Sequence, residues 1–365
     1  MHDLCFISLP FQPMKEMRTP FYFSTAIFGE YMANLFQSTY YLGINSLHSF
    51  KSYSEEEYSN FEKKFDFINN KVLFYDRDYI NDFVDMVQQL YETNDISIMN
   101  KPTAVCECGR AEMTQSELNR FNEDNVEMQL VENRDGELIC RYCEKKLVID
   151  NHESLYLCFK ENELCKSMGI YPSYLDSDFN HFRKSLINSQ LRISRLRDTG
   201  VSVVIDNRLF YMDIDFMWKF IPFFLQKQHV VVVASVKHMF SLFVINYLAN
   251  VIHRNNIYFL GLPFVNTYSV GEEVLHFLRD EKHRKALKLL VILGIGWSKK
   301  NISLQDSTCK YFMSSHIKND ELFDFLSSIS FETNQWPEIC KIITSYTQLQ
   351  NVLQLKKKFD YYPGS

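Results

Sequence analysis

Glycine and proline are scarce, 11 and 9 among 365 residues, which excludes a collagen-like chain and a Pro/Gly-rich disordered one. No apolar run approaches the roughly 20 residues that a membrane-spanning helix needs; the longest, 230–234 and 289–295, stop well short. There is no internal repeat and no low-complexity tract. Positive charge is not in excess: the formal net charge is −6, whereas a general nucleic-acid coat is usually basic. No secretory leader is expected, and the protein is expected to be soluble, cytoplasmic and without a membrane partner. What is present is 46% hydrophobic residues, with 31 Phe and 21 Tyr. That is enough for one large domain or two, with a core that needs no staples.

Nine cysteines are an odd number, which disfavours a disulfide framework. Four of them form a pattern. Cys106 and Cys108 make a C-x-C and, after 31 intervening residues, Cys140 and Cys143 make a C-x-x-C. Each short spacing bends the chain so that two sulfurs can face one ion, and paired thiolates suit tetrahedral Zn²⁺. The second pair lies in a polar, turn-like stretch, Ile139 to Lys146. The first pair is tighter than the usual C-x-x-C. Cys5, Cys158, Cys165, Cys309 and Cys340 lie in apolar contexts and are expected to be structural.

Around this set the chain alternates strand and helix patterns. A short apolar run over 4–9 predicts a buried first strand, followed by a Pro-rich loop and a helix from about Ser24 that Gly43 would stop. A strand is predicted over 72–75 and an amphipathic helix over 79–91. Segment 101–149 reads as a polar insertion with short strands at 137–140 and 146–149. A strand or helix start follows at 154–159, and the spacing of Phe182 and Leu186 predicts a helix over 179–191. Runs 201–205 and 208–213, separated by Asp206-Asn207, predict a hairpin. Five consecutive apolar residues over 230–234 predict a strand covered on both faces. A helix over 239–253 and a strand over 257–260 complete a strand–helix–strand unit, half of a doubly wound nucleotide-binding fold. From about 272 the chain is expected to be mostly helical.

Three basic clusters leave room for RNA despite the net charge: Arg192, Arg195 and Arg197; Lys282, His283, Arg284 and Lys285 with Lys288; and Lys356 to Lys358. A charge cluster is also the ordinary composition of a solvated helix face.

The stretch Leu191-Arg192-Ile193-Ser194-Arg195-Leu196-Arg197-Asp198-Thr199-Gly200-Val201-Ser202-Val203 resembles the I-[ST]-R-x-x-x-W-G-[IV]-P-V-P segment of methionyl and related class I aminoacyl-tRNA synthetases. Ile193, Ser194, Arg195, Gly200, Val201 and Val203 match; Thr199 and Ser202 replace the tryptophan and the first proline. Arg208-Leu209-Phe210-Tyr211-Met212-Asp213-Ile214-Asp215 is similar to the family's K-V-x-Y-V-W-F-D strand through Tyr211 and Asp215. The resemblance implies an α/β fold: a split Rossmann-type, doubly wound parallel sheet with an inserted zinc-knuckle connective domain and a short C-terminal helical segment. It divides the chain into 1–100, the first Rossmann half; 101–150, the knuckle; 151–271, the rest of the insertion and the second half; and 272–365, a helical stem. It also implies that Cys106, Cys108, Cys140 and Cys143 hold structural zinc.

The departures concern ATP. The family's H-x-G-H motif, which stabilises charge on the transferring phosphates, is replaced at 20–26 by Pro-Phe-Tyr-Phe-Ser-Thr-Ala. His48 to Tyr53 stand where an acidic G-T-D-E-H-G stretch is expected. The ribose-binding G-x-D becomes Ala234-Ser235-Val236, and the K-M-S-K-S loop becomes 264–270, Phe-Val-Asn-Thr-Tyr-Ser-Val. A displaced loop at Trp297 to Ser303 comes too late and reads as the start of the stem. ATP is therefore not an expected cofactor, because phosphate and ribose recognition needs cations and donors at those positions.

The expected function is transfer of an aminoacyl group from tRNA to an amine, similar to what cyclodipeptide synthases do on a class I-like fold. Ser8 stands where those enzymes carry an acylated serine. Tyr211, Asp213 and Asp215 are expected to line a pocket for a small amino-acid-like substrate, the two carboxylates two apart on a strand and so on one face, favouring a cationic group. tRNA contacts are expected at Arg192, Arg195, Arg197, Lys282, Arg284 and Lys285. The alternatives are a non-catalytic pseudo-synthetase binding tRNA, an amino acid or a protein partner, homodimers included, and an ATP-dependent ligase with a site rebuilt on 282–285 or Lys299 and Lys300.

Overall fold

The computed structural model describes residues 4–11, 21–47, 54–109, 111–114, 131–164, 169–171, 173–197, 200–253, 256–266 and 301–303, with a few positions between 279 and 291. In chain order its strands are β1 (Leu4–Phe11), β2 (Thr39–Ile44), β3 (Val72–Tyr75), β4 (Ile96–Val105), β5 (Glu112–Thr114), β6 (Val131–Arg134), β7 (Glu137–Cys140), β8 (Val148–Cys158) and β9 (Ile170–Tyr171). There follow β10 (Gln190–Arg192), β11 (Ser194–Arg195), β12 (Val201–Ile205), β13 (Arg208–Met212), β14 (His229–Ser235), β15 (Asn256–Leu262), β16 (Phe264–Asn266) and β17 (Asn301–Ser303).

The central sheet has the order β3-β2-β1-β14-β15-β9, and every pairing in it is parallel. Valines 230–233 of β14 are all buried, as expected for a strand covered on both faces. Helices Phe21–Leu35 and Met239–Ile252 follow β1 and β14. The connection between the two halves of the sheet carries the other modules. An antiparallel sheet β10-β8-β4-β5, the hairpin β6-β7 and the three-stranded sheet β11-β13-β12 are all built from it. Among the described residues no helix is long and apolar enough to cross a membrane.

The hairpin expected at Asp206-Asn207 is there. Both residues have positive φ, 49° and 60°, as a two-residue hairpin turn requires, and Val203 faces Phe210 across it. Other expectations are corrected. Gly43 does not stop the first helix; that helix ends at Leu35 and Gly43 lies inside β2. The helix expected over 179–191 runs Asp176–Leu186, and Leu191 belongs to β10. Asp213 and Asp215 are not on a strand, because β13 ends at Met212 and Asp213 caps the short helix Ile214–Met217. Most of the segment expected to be a helical stem lies outside the described residues. Within it, 301–303 form a strand parallel to β16 rather than the start of a helix.

Gly29 illustrates how the first helix is fitted to the sheet. A Cβ there would come within 2.5 Å of the Tyr40 ring. That ring is fully buried and its hydroxyl donates to Ser8 Oγ at 2.9 Å, so it cannot swing away. Gly29→Ala gains helix propensity but overpacks the interior, and a net loss of about 2 kcal/mol is expected in urea unfolding. An unchanged or raised midpoint would show that the ring has room to move.

Candidate functional site

The cysteine set is built by two tight turns. After Cys106 and Cys108 the chain reverses at Gly109, with φ 69°, and the Gly109 N–H donates to Cys106 O at 2.9 Å. After Cys143 it reverses at Glu144, φ 56°, whose N–H donates to Cys140 O at 2.8 Å. All four sulfurs lie within 4.8 Å of one another. Cys106 Sγ is 3.2 Å from Cys143 Sγ, and Cys108 Sγ is 3.7 Å from Cys140 Sγ. A tetrahedron of Zn–S bonds about 2.3 Å long has sulfur–sulfur edges of about 3.8 Å, so the set fits a single tetrahedral ion. Burial pushes the Cys106 thiol up to about 12 and raises Cys140 as well, the neighbouring sulfurs adding to both. A bound cation supplies the charge that lets such thiols ionise. The residues can therefore hold a metal, and with four protein ligands no coordination position is left for a substrate.

The second region is a crevice at the carboxyl ends of β1 and β14. The two strands are neighbours, but β2 and β3 extend the sheet to one side and β15 and β9 to the other. That is the switch point where open α/β sheets bind ligands. The segment 213–220 lies across it. A Cβ on Gly43 would meet the Trp218 ring at 3.0 Å and Ser8 O at 3.1 Å, so the bare glycine is what lets the indole settle on β2 beside β1. With its amide turned to satisfy both neighbours, Asn45 accepts from Trp218 Nε1 at 3.3 Å and donates to Asp76 Oδ2 at 3.2 Å.

Asp76, fully buried at the end of β3, ties down the loop after β2. It accepts from the Ser46 N–H at 2.8 Å, the Leu47 N–H at 3.4 Å and the Ser46 hydroxyl. Burial raises its pKa to about 6, although these hydrogen bonds work in the opposite direction. Since the folded protein then holds this proton more tightly than the unfolded chain, the residue adds stability as pH falls from about 6 to about 4, on the order of 3 kcal/mol. Urea unfolding across that window is expected to show the gain in the unmodified protein and not in Asp76→Asn. The same pH slope in both would contradict the assignment.

Charge in the crevice is concentrated. Asp213 is buried; its Oδ2 accepts from Arg195 Nε at 2.6 Å and its Oδ1 from the Asp215 N–H at 2.9 Å. Burial works to raise its pKa, but Arg195, Lys219 and Arg197 together hold the carboxyl below its ordinary range. Asp215 is solvent-accessible, and desolvation and the neighbouring Asp213 raise its pKa. His238 ends the turn that leads into helix Met239–Ile252, and desolvation with Lys219 and Lys237 lowers its pKa to about 4, so it is a neutral imidazole at pH 7. Lys219 acts on both Asp213 and His238. Arg195, Arg197 and Lys219 thus meet Asp213, Asp215 and Glu112 in one neighbourhood, with Lys237 joining Lys219 at His238.

The structure distributes the sequence-predicted residues unevenly. The four cysteines come together. Ser8 is 1% exposed, on the same face of β1 as Phe6, whose ring lies 5.6 Å from Phe36 just past the first helix. Its hydrogen-bond partner among the described residues is the Tyr40 hydroxyl, which donates. Burial raises the Tyr40 pKa, so Tyr40 cannot take a proton from Ser8. Asp213 is committed to Arg195 and to its own helix, which corrects the expectation of a carboxylate offered to a cationic substrate. Tyr211 is half-buried, opposite Ser202 and Arg195 in its sheet. Arg192 is not on a solvated face: its side chain is inaccessible and its Nη1 is 3.4 Å from Glu112 Oε2. Arg284 packs its guanidinium 5.7 Å from the Phe67 ring centre; Lys282 and Lys285 lie outside the described residues. Sequence reasoning missed Glu112, Asn45, Asp76, Trp218, Lys219, Lys237 and His238. Isolated single residues carry no spacing signal.

No protein-family model matches the chain, and no curated protein matches it. Solved structures do. Mycobacterium tuberculosis methionyl-tRNA synthetase in complex with methionyl-adenylate superimposes with a TM-score of 0.57 at 9% identity, covering 80% of this chain and 64% of that one. A second structure of that enzyme bound by methionyl-adenylate gives 0.56 at 10% identity, covering 80% and 64%, and its apo, free-state form gives 0.52 at 10%, covering 80% and 62%. The fold is that of a class I aminoacyl-tRNA synthetase. The chain is similar in fold to the methionyl enzyme, and it spans less than two thirds of the length of those structures.

Proposed function

We propose that the chain is a synthetase-like protein that makes no aminoacyl-adenylate and instead holds the aminoacylated 3′ end of a tRNA. The observation that carries this reading is the charge at the switch point. Arg195, Arg197, Lys219 and Lys237 gather there around Asp213, Asp215 and Glu112, and Asp213 is already bonded to Arg195. A cluster of cations suits a phosphate backbone. It does not suit the amine-bearing group that Asp213 alone suggested. The end of β14 supports the loss of adenylation, since Ala234-Ser235-Val236 offers no carboxylate for a ribose, and the Ser235 hydroxyl is occupied in accepting from the Lys237 N–H at 3.2 Å. The four thiolates are proposed to hold Zn²⁺ as a closed structural ion.

Titrating the protein with one tRNA, charged and uncharged, tests the reading. The charged form is expected to bind more tightly, and both affinities to fall steeply with added salt. Equal affinities, or binding indifferent to salt, would contradict it.

Transfer of the held group to an amine is the second reading, favoured by the place of Ser8 on β1, next to β14. It requires Ser8 Oγ to attack the ester carbonyl, giving an acyl-serine, with its proton taken by a base and the ribose hydroxyl leaving; the amine then displaces the serine. Tyr40, as a donor, is not that base. Intact-mass measurement after mixing with charged tRNA decides: an adduct lost in Ser8→Ala supports transfer, and no adduct leaves the holding function alone.

A further inference from the structure

We infer that the cysteine knuckle sets the geometry of the switch-point crevice through Glu112, so that metal occupancy and crevice structure are coupled. The inference rests on the reading of the four cysteines as a metal site.

The physical path is short. The Cys106 N–H donates to Ala111 O at 2.8 Å, and Glu112 follows directly as the first residue of β5. That strand has three residues, and β4 is its partner among the described residues. Behind it lies a small apolar cluster that includes Ala104, Ala111, Met113 and Leu147 besides Cys106 and Cys140. A cluster of this size cannot hold a three-residue strand in place by burial alone, so the cross-link between the two cysteine turns carries the module.

Glu112 then reaches out of the module. Its side chain is 4% exposed; Oε2 accepts from the Leu196 N–H at 2.8 Å and lies 3.4 Å from Arg192 Nη1. Oε1 is 3.8 Å from Arg195 Nε, the same nitrogen that donates to Asp213 Oδ2 at 2.6 Å. Asp213 in turn caps the helix that begins at Ile214 and leads to Trp218. Arg192 is wholly inaccessible, and Glu112 offers it both its carboxylate and its backbone carbonyl, so displacing Glu112 takes two acceptors from a guanidinium that water does not reach. The network is therefore assembled or loosened as a unit, which is what coupling between two sites requires. Glu112 is a positioning residue: it acts through Arg195.

Hydrogen exchange read by mass spectrometry tests this on the full chain with its metal, on the same protein after chelation, and on Glu112→Gln, with metal content determined for each sample. Chelation is expected to speed exchange in peptides spanning 192–197 and 213–218 by about tenfold or more, while β14 and helix Met239–Ile252 keep their protection. Glu112→Gln keeps its metal and speeds the same two peptides; chelating it adds little there, though it still loosens 104–114 and 138–147. Chelation that loosens only the knuckle peptides overturns the coupling, as do fully additive effects. If the chelated chain unfolds throughout, metal-loaded Glu112→Gln decides: unchanged protection at 192–197 and 213–218 overturns the inference. Absence of metal from the purified, unmodified protein overturns instead the reading on which it rests.

Discussion

Replacing Glu112 with alanine is expected to cost about 3–5 kcal/mol, the loss typical when one partner of a buried ion pair is removed. The size follows from what stays behind. Arg192 has no solvent access, the Leu196 N–H loses its acceptor, and Arg195 loses one of its carboxylate neighbours. The charge cannot be relieved by losing a proton, because a guanidinium does not deprotonate in proteins. Urea unfolding at neutral pH measures the effect. The double change Glu112→Ala with Arg192→Met is expected to recover part of it, since the buried charge is removed too, while the Leu196 N–H stays without its acceptor. A loss below about 1 kcal/mol in the single variant would mean that water reaches the arginine.

The second large effect is expected from Cys140→Ser with Cys143→Ser. Metal content should fall from one ion per chain to none. Structural zinc contributes on the order of 10 kcal/mol to folding of the element that it organises, and little apolar burial replaces it here: Cys106, Cys140 and five further residues form the local cluster. Limited proteolysis should cut within 104–147 and leave the central sheet intact. Unchanged metal content in the double variant would move the ion elsewhere, and an unchanged proteolytic pattern would make the module self-supporting.

The elements with a strong local signal were legible. Valines 230–233 of β14 and the Asp206-Asn207 turn were located closely, because a fully buried strand and a positive-φ turn each demand particular residues. The cysteine spacing likewise identified a cluster that the fold brings together. β2 was missed. Its sequence, Thr-Tyr-Tyr-Leu-Gly-Ile, contains a glycine that reads locally as a helix stop, whereas the glycine is needed because Trp218, far along the chain, lies on top of it.

The charged residues were read least well, for a related reason. Arg192, Arg195 and Arg197 form a surface-like basic cluster in one dimension. In three, Glu112 stands 80 residues before Arg192, reached through β5, and Asp213 lies 18 residues beyond Arg195, so the partners that bury these cations lie outside any local window. Asp213 itself follows the five residues of β13 and looks like a sixth, until its side chain is seen to accept the Asp215 N–H as a helix cap.

Pyrophosphate exchange into ATP, run with each of the twenty amino acids, tests the central claim most directly. The account predicts no amino-acid-dependent exchange with any of them, in metal-loaded protein that still binds charged tRNA. Exchange with even one amino acid would mean that the crevice at β1 and β14 still activates its substrate, and would contradict the account.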